Sequence, residues 1–316
     1  MSELRRDYFL DRWVIFATDR AKRPSDFAKA HDSSVGATDC SFCPGAEAKT
    51  PPSKASYFDG SYEADEPGEP PRTGWTIRVI PNMYPAVKEG DIRPVQDNRM
   101  SASGVHEVVV ESPAHGHHPQ FMSDEEIKRL FRVYSDRFAA IAAVPYVRYI
   151  SVFRNYGRAA GASLAHAHSQ ILALPIVPGD IREQRGLDYG LVIAEESGSP
   201  RMILESAHTI AIAPFASGFT YEAWVIPKRK CRNITELTGA ERDDFAVAAR
   251  DVLARLSKLL SDPPYNYAFV QSVDDDVYLH LRIYPKLGIE AGFELNTGVH
   301  INSVTPESAA KSLREI

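Results

Sequence analysis

The sequence has little cysteine and no long apolar run. Its 316 residues include three cysteines, an odd number that argues against a framework of disulfide bonds. The first seven residues, MSELRRD, lack the apolar core of a signal peptide, and the apolar run at 138–144 is too short to span a bilayer. We therefore expect a cytoplasmic protein with no membrane partner.

Positive charge is also scarce. The 36 lysines and arginines are outnumbered by 42 acidic residues, which gives a net charge of -6. Because nucleic-acid binding depends on a basic surface, this balance predicts no nucleic-acid partner. The hydrophobic fraction of 44% and the charged fraction of 25% are those of an ordinary globular protein with a large core.

Two halves of the chain have the same order of predicted elements. Each half begins with a strand that ends near a proline. A helix with a capping residue follows, then a second strand, and then a strand that contains histidine. The helices are predicted to start at Ser123 and Thr238, and the histidine strands to span 165–175 and 277–285. These patterns predict an α+β fold of two lobes, residues 1–178 and 179–316, each an antiparallel sheet with a main helix. The stretch 45–72, rich in proline, glycine and acidic residues, is predicted to be a loop or a weakly ordered insertion.

The most informative motif is His166-x-His168-x-Gln170, in the first histidine strand. Period two places the three side chains on one face of a strand. Two imidazoles and an amide suit phosphate chemistry, in which His168 attacks phosphorus or transfers protons. Gln170 can donate to a phosphoryl oxygen but cannot act as a general acid. This favours a nucleophile whose adduct survives until an acceptor arrives.

The pair Cys40-x2-Cys43 has the spacing of two thiolate ligands on one tetrahedral zinc. One pair does not complete such a site, so histidines must supply the other ligands. The candidates are His106, His115, His117, His118 and His166. The alternative is two buried thiols without a metal. A closed Cys2His2 shell has no open position, so its role would be structural.

Two weaker signals lie earlier in the chain. Arg20 and Arg23 lie in a predicted basic turn. The basic side chains of such a turn ordinarily contact only solvent. Beside a phosphate site, both arginines become candidates to clamp a diphosphate. Asn82 and Tyr84 follow a predicted strand and are weaker candidates for the same site. The alternative is that they only form an ordinary turn after the strand.

Together these motifs resemble the galactose-1-phosphate uridylyltransferases, a branch of the histidine triad superfamily. The resemblance covers nearly the whole chain. The matching pieces are Asp11-Arg12-Trp13-Val14-Ile15 with Arg20 and Arg23, Cys40-x2-Cys43, Asn82 and Tyr84, Ser112-Pro113-Ala114-His115, Asn155-x-Gly157 with Gly161-x-Ser163, and His166-x-His168-x-Gln170.

The resemblance implies a role for each matching position. A structural zinc would be held by Cys40, Cys43, His115 and His166. His168 would attack the α-phosphorus of a nucleotide sugar, with its other nitrogen bound to the carbonyl of His166. Phosphoryl oxygens would be held by Gln170 and Ser163. The nucleotide and diphosphate would contact Arg20, Arg23, Asn82, Tyr84, Asn155 and Gly161. The hexose would contact Phe293 and Glu294. Members of the family are usually homodimers with sites near the subunit interface.

Two substitutions within the motif bear on the substrate. Ala167 and Ser169 stand where the well-known bacterial and animal enzymes have proline and glycine, and this form also resembles a plant-type ADP-glucose phosphorylase. We expect transfer of UMP between UDP-glucose and galactose 1-phosphate through a nucleotidyl-histidine. The alternatives are an ADP-glucose phosphorylase, a histidine triad hydrolase and a zinc-stabilised nucleotide-binding protein.

Overall fold

The fold combines two antiparallel sheets with helices. A computed structural model describes residues 3–6, 13–16, 40–59, 61–66, 68–90, 92 and 98–316. The strands of this part are β1 (Glu3–Arg6), β2 (Trp13–Phe16), β3 (Ala55–Phe58), β4 (Ser61–Glu63), β5 (Ile77–Pro81), β6 (Arg99–Ser101), β7 (Val105–Val110), β8 (Tyr149–Tyr156), β9 (His168–Leu174), β10 (Met202–Glu205), β11 (Thr209–Ile212), β12 (Ala223–Pro227), β13 (Tyr265–Val270) and β14 (His280–Pro285). Its α-helices are α1 (Asp124–Ala142), α2 (Gly179–Arg182), α3 (Tyr189–Glu196), α4 (Gly239–Leu260), α5 (Gly292–Thr297) and α6 (Pro306–Arg314).

The larger sheet runs through both halves of the chain. Its eleven strands lie in the order β10-β11-β12-β14-β13-β8-β9-β7-β5-β3-β4, and neighbours are antiparallel. The order β7-α1-β8-β9 of the first half returns as β12-α4-β13-β14 in the second. This confirms the predicted α+β class with a repeated unit of antiparallel sheet and main helix. The two units are joined edge to edge, because β8 pairs with β13 and places Asn155 opposite Asn266.

The two main helices begin where the sequence predicts. Ser123 and Glu126 form a capping box at the start of α1, and Thr238 and Glu241 form another at the start of α4. Each box satisfies backbone N–H groups that have no partner inside the helix. The capping residues therefore fix both helix starts locally.

One hydrophobic core lies between these helices and the sheet. The ring centroid of Phe131 on α1 lies 5.5 Å from those of Phe245 on α4 and Phe269 on β13. The core cluster contains side chains from both halves of the chain. The division at residue 178 therefore stays a prediction.

The stretch 45–72 is more ordered than predicted, because it contains β3 and β4. The buried Asp65 carboxylate accepts from the backbone N–H groups of Ser53 and Arg72. Arg78 on β5 donates to the Ser53 hydroxyl at 2.6 Å, and its guanidinium lies 3.7 Å from Asp65. Contacts with Arg78, which lies outside the stretch, therefore hold it in place. The composition of the stretch does not reveal these contacts.

The smaller sheet has the order β2-β1-β6. Leu4 on β1 is buried with Val87 and Ala102, and Leu172 of β9 packs against this cluster. None of the helices in the described ranges is long and apolar enough to cross a membrane.

Candidate active site and metal centre

His168 is the first residue of β9, and its ring is fixed by the residue two positions earlier. Its Nδ1 lies 2.8 Å from the carbonyl oxygen of His166. A carbonyl oxygen can only accept, so Nδ1 has the proton, and in the neutral ring the lone pair is on Nε2. The ring of Phe42 packs edge-on against His168, with centroids 5.6 Å apart. These contacts leave the imidazole one tautomer and one orientation.

The predicted strand at 165–175 begins later than expected, and His166 lies before it. The prediction that His166, His168 and Gln170 share one strand face was therefore wrong for His166. His166 is 1% exposed and turns toward Cys40 and Cys43 instead. The contacts of His166 with Cys40 and Cys43, which are distant in sequence, override the extended backbone that the alternating pattern predicted.

A buried ion pair lies next to the backbone of His168. Arg154 on β8 contacts Glu111 and donates to the carbonyl oxygen of His168 at 3.1 Å. Its other terminal nitrogen donates to Nδ1 of His118 at 2.8 Å. Burial and the Arg154 charge lower the pKa of His118 to about 3, so this ring is neutral. Burial alone lowers the pKa of Arg154, but the Glu111 carboxylate raises it on balance.

A cavity of about 170 Å³ opens beside His168. The sequence-predicted residues in its wall are Asn155, Gly161, Ser163, His168 and Gln170. Gly161 has φ of +85°, a left-handed conformation that favours glycine and lets the backbone turn close to the cavity. The structure thus brings five of the predicted substrate-site residues to one place.

The Gln170 side chain is held by two neighbours. Its Oε1 lies 2.9 Å from Nε2 of His106 and 3.3 Å from Nδ2 of Asn82. The side chain of Asn82 also accepts from the backbone N–H of Tyr84 at 2.8 Å. Asn82 therefore touches the wall of the cavity through Gln170.

A cluster of two cysteines and two histidines lies next to His168. The ligand atoms of Cys40, Cys43, His115 and His166 all lie within 4.8 Å of one another. Nδ1 of His166 lies 3.5 Å from each sulfur, and Nδ1 of His115 lies 3.4 Å from Cys43. Zinc bound to sulfur at about 2.3 Å and to nitrogen at about 2.0 Å in a tetrahedron separates those atoms by about 3.5 Å. The spacing fits a bound metal.

The chemistry of the cluster fits a metal as well. Nε2 of His166 donates to the carbonyl oxygen of Ser112 at 2.8 Å, so the neutral ring directs its Nδ1 lone pair between the sulfurs. Burial lowers the pKa of His166, which keeps the ring in the neutral form that binds metals. Burial, and next the neighbouring Cys40, raises the pKa of Cys43 to about 11. Without a cation the thiol therefore keeps its proton.

Three histidines that the sequence left open as ligands have other partners. Nε2 of His117 lies 3.1 Å from the Glu126 carboxylate. His118 accepts from Arg154, and His106 contacts Gln170. None of them belongs to the cluster, so sequence spacing alone left too many candidates.

Comparison with known proteins identifies the family. A family model described as "Galactose-1-phosphate uridyl transferase, N-terminal domain" matches residues 77–178. An ADP-glucose phosphorylase of Arabidopsis thaliana is 34% identical over 99% of this chain and 93% of that protein. A galactose-1-phosphate uridylyltransferase of Thermotoga maritima is 29% identical over 100% of this chain and 98% of that protein. The chain belongs to the galactose-1-phosphate uridylyltransferase family.

A solved structure of this family extends the similarity to three dimensions. The crystal structure of the Arabidopsis thaliana ADP-glucose phosphorylase with bound ADP-glucose has a TM-score of 0.74 and 33% identity, covering 100% of this chain and 99% of that chain. That ADP-glucose phosphorylase thus has the same fold as this chain. The family transfers nucleotidyl groups, and its members differ in substrate.

Of the predicted substrate residues that the structure describes, Asn82, Tyr84, Phe293 and Glu294 do not line this cavity, and two further predicted residues lie outside the described part. Phe293 and Glu294 are on α5, where Phe293 is 53% exposed and Glu294 accepts from the backbone N–H of Ala291. Neither residue lines the cavity beside His168. Arg20 and Arg23 lie outside the described residues.

Sequence reasoning missed two of the residues that contact or surround His168. Arg154 and Glu111 stood out by no motif, although Arg154 directly precedes the predicted Asn155, and His118 was considered only as a metal ligand. Arg154 and His118 also line a second cavity of about 230 Å³ on the His168 side, together with Asp262. One signal in the sequence could have revealed this ion pair. Arg154 is a charged residue within a predicted strand, and a charge buried in a sheet needs a partner of opposite charge.

Proposed function

We propose that this protein transfers UMP between UDP-glucose and galactose 1-phosphate, with His168 as the nucleophile. The observation that carries the proposal is the contact of 2.8 Å between Nδ1 of His168 and the carbonyl of His166. It places the reactive lone pair on Nε2 of a ring that lines a cavity shared with Gln170 and Ser163. Family membership and the Thermotoga maritima relative support the uridylyl group and the hexose phosphates.

The transfer takes place in two displacements at one phosphorus. The Nε2 lone pair of His168 attacks the α-phosphorus of UDP-glucose, a P–N bond forms, and the P–O bond to glucose 1-phosphate breaks. A phosphate oxygen of galactose 1-phosphate then attacks the same phosphorus. The P–N bond breaks, its electron pair returns to Nε2, and UDP-galactose leaves. Since each leaving group is a phosphate oxygen or the histidine nitrogen, neither step needs a general acid.

The proposed roles of the other residues follow from their positions. The carbonyl of His166 accepts from Nδ1 and stabilises the positive charge that the ring gains on attack. Gln170 and Ser163 donate to phosphoryl oxygens. The nucleotide and diphosphate site is assigned to Asn82, Tyr84, Asn155 and Gly161, together with Arg20 and Arg23. Phe293 and Glu294 are assigned to the hexose.

We propose zinc as the metal of the Cys40, Cys43, His115 and His166 cluster. With these four residues as ligands the ion would have no open position, so it would supply rigidity and no Lewis acid for the substrate. It would hold His166, whose carbonyl in turn holds His168. The metal thereby contributes to the order of the active site without contacting the substrate.

A homodimer is the proposed assembly. Apolar side chains in and around α5 are exposed, among them Ile289 at 98%, Leu295 at 74% and Ile301 at 71%. Exposed apolar side chains concentrated in one short segment are typical of a surface that another molecule covers. A second copy of this chain is the proposed occupant, as in other members of the family.

Adenylyl transfer to inorganic phosphate is the second candidate function. It is favoured by the Arabidopsis thaliana relative, which is 34% identical against 29% for the Thermotoga maritima relative, and by its ADP-glucose-bound structure. The first displacement would release glucose 1-phosphate from ADP-glucose. Phosphate would then attack the adenylyl group and leave as ADP. The same His168 chemistry serves both candidates.

Intact-protein mass spectrometry separates the two. The enzyme is mixed with UDP-glucose or with ADP-glucose, without an acceptor. A UMP adduct that is absent in His168→Gly supports the uridylyltransferase, and an AMP adduct supports the phosphorylase. Release of free nucleoside monophosphate indicates a hydrolase, and binding without turnover indicates a nucleotide-binding protein. Either of the last two results would refute both candidates.

A further inference from the structure

We infer that His106 is a positioning residue that sets the direction of the Gln170 side-chain amide. The inference rests on the proposed function, in which Gln170 donates to a phosphoryl oxygen. An amide can turn either its oxygen or its NH2 group toward the cavity, and only the NH2 group donates. Two hydrogen bonds from backbone N–H groups, one to His106 and one to Asn82, determine which orientation is adopted.

The first contact fixes the tautomer of His106. The backbone N–H of Ala86 donates to Nδ1 of His106 at 3.0 Å. A backbone nitrogen offers no lone pair, so Nδ1 accepts, and the neutral ring has its proton on Nε2. Nε2 lies 2.9 Å from the Gln170 amide. Because Nε2–H donates, the Gln170 atom that faces it is the oxygen.

The second contact gives the same answer through Asn82. The backbone N–H of Tyr84 donates to Oδ1 of Asn82, which identifies Nδ2 as the donor on the other side of that amide. Nδ2 lies 3.3 Å from Oε1 of Gln170 and 3.2 Å from Nε2 of His106. Because Nδ1 of His106 already accepts from Ala86, Nε2 has the proton, and both nitrogens are donors to the shared oxygen Oε1. Turning the Gln170 amide over would place its NH2 group against two donors. The oxygen therefore stays on the side of His106 and Asn82, and the NH2 group is presented to the cavity.

The sheet register makes His106 suitable for this role. Val108 on β7 lies opposite Gln170 on β9, so His106 is the diagonal neighbour two residues away on the same face. His106 is 7% exposed, and its backbone carbonyl accepts from the N–H of Asn82 at 2.8 Å. A buried ring on a paired central strand keeps its direction while ligands enter and leave.

The test compares two amide replacements of the ring. In His106→Gln the longer side chain can place an NH2 donor where Nε2 lies, whereas in His106→Asn it is too short. We measure the rate of nucleotidyl-enzyme formation by rapid quench and intact mass, with UDP-glucose and with ADP-glucose. We expect His106→Asn to slow adduct formation about 10- to 100-fold and His106→Gln to stay within about threefold of the wild type. His208→Asn, at an exposed histidine, is the matched control.

A double-mutant cycle distinguishes positioning from general structural damage. If His106 acts through Gln170, His106→Asn has no further effect on the rate in a Gln170→Ala background. An equal slowing in both backgrounds, or a wild-type rate in His106→Asn alone, would overturn the inference. Thermal melting of each variant verifies that the fold is retained.

NMR tests the orientation even if the proposed function fails. If the wild type forms no adduct with either nucleotide sugar, nucleotidyl transfer is refuted, but the amide can still be observed. With ¹⁵N-glutamine labelling, the Gln170 NH2 signal is assigned by its loss in Gln170→Ala. We expect this signal to shift or broaden in His106→Asn and to be retained in His106→Gln. An unchanged signal in His106→Asn would contradict the inference directly.

Discussion

Nδ1 of His168 donates to the backbone carbonyl of His166 at a distance of 2.8 Å. The ring of His166 belongs to the four-residue cluster with Cys40, Cys43 and His115. One residue thus contacts the cysteines of the candidate metal site through its side chain and His168 through its backbone. If the proposed metal and nucleophile are correct, metal content and the chemistry of His168 are linked.

Loss of a metal ligand should weaken both properties. We expect wild-type protein to contain about one zinc ion per chain, and Cys43→Ser to lose most of it and to form the nucleotidyl adduct more than about tenfold more slowly. Metal analysis and intact mass measure the two effects. Cys231→Ala, at a buried cysteine outside the cluster, is the control. Full metal and full activity in Cys43→Ser would exclude this linkage.

Removing one partner of the buried pair of Arg154 and Glu111 should strongly destabilise the protein. Arg154→Met leaves the Glu111 carboxylate uncompensated in the core, and breaking a buried pair in this way costs about 3–5 kcal/mol in the free energy of unfolding. Urea denaturation measures the loss. Arg129→Met removes an exposed ion pair with Asp59 and should change stability by less than about 1 kcal/mol. Equal effects of the two substitutions would contradict this prediction.

His280 should make the protein less stable in acid. Its Nδ1 donates to the Tyr278 carbonyl, its Nε2 accepts from Arg282, and burial together with that arginine lowers the pKa of the ring to about 3. The unfolded chain binds a proton near pH 6.5, so stability falls as pH drops below that value, by about 1.4 kcal/mol per pH unit.

His280→Gln removes this titration. Between pH 6.5 and pH 4.5 we expect the variant to lose about 2 kcal/mol less than the wild type, measured as the change in unfolding free energy over that interval. His208→Gln removes an exposed histidine and serves as the control. Parallel pH profiles of His280→Gln and the wild type would refute the assignment.

The apolar surface around α5 should support dimer formation. We expect Leu295→Glu combined with Ile301→Glu to weaken self-association at least about tenfold, because two charges replace apolar contacts. Sedimentation velocity across a concentration series measures the change. Leu191→Glu, at a leucine that is 71% exposed on α3, is the matched control. A wild-type monomer, or a variant that associates normally, would disprove the proposed interface.

The sequence by itself determined the features that depend on neighbouring residues. Ser123 and Glu126 define the start of α1, because the capping box forms within four residues. The cysteine pair was recognisable from its spacing, and the repeated order of strands and helices predicted the α+β fold. These signals are local, since each hydrogen bond or ligand pair joins residues close together in the chain.

The tertiary structure decided which distant residues meet. Cys40 and His166 are separated by 126 positions, so residue spacing does not select His115 and His166 over the other histidines, whereas the folded chain brings these two to the cysteines. The same holds for His106, whose role depends on the register between β7 and β9. Pairing register and burial arise from the whole core, and no short stretch of sequence contains that information.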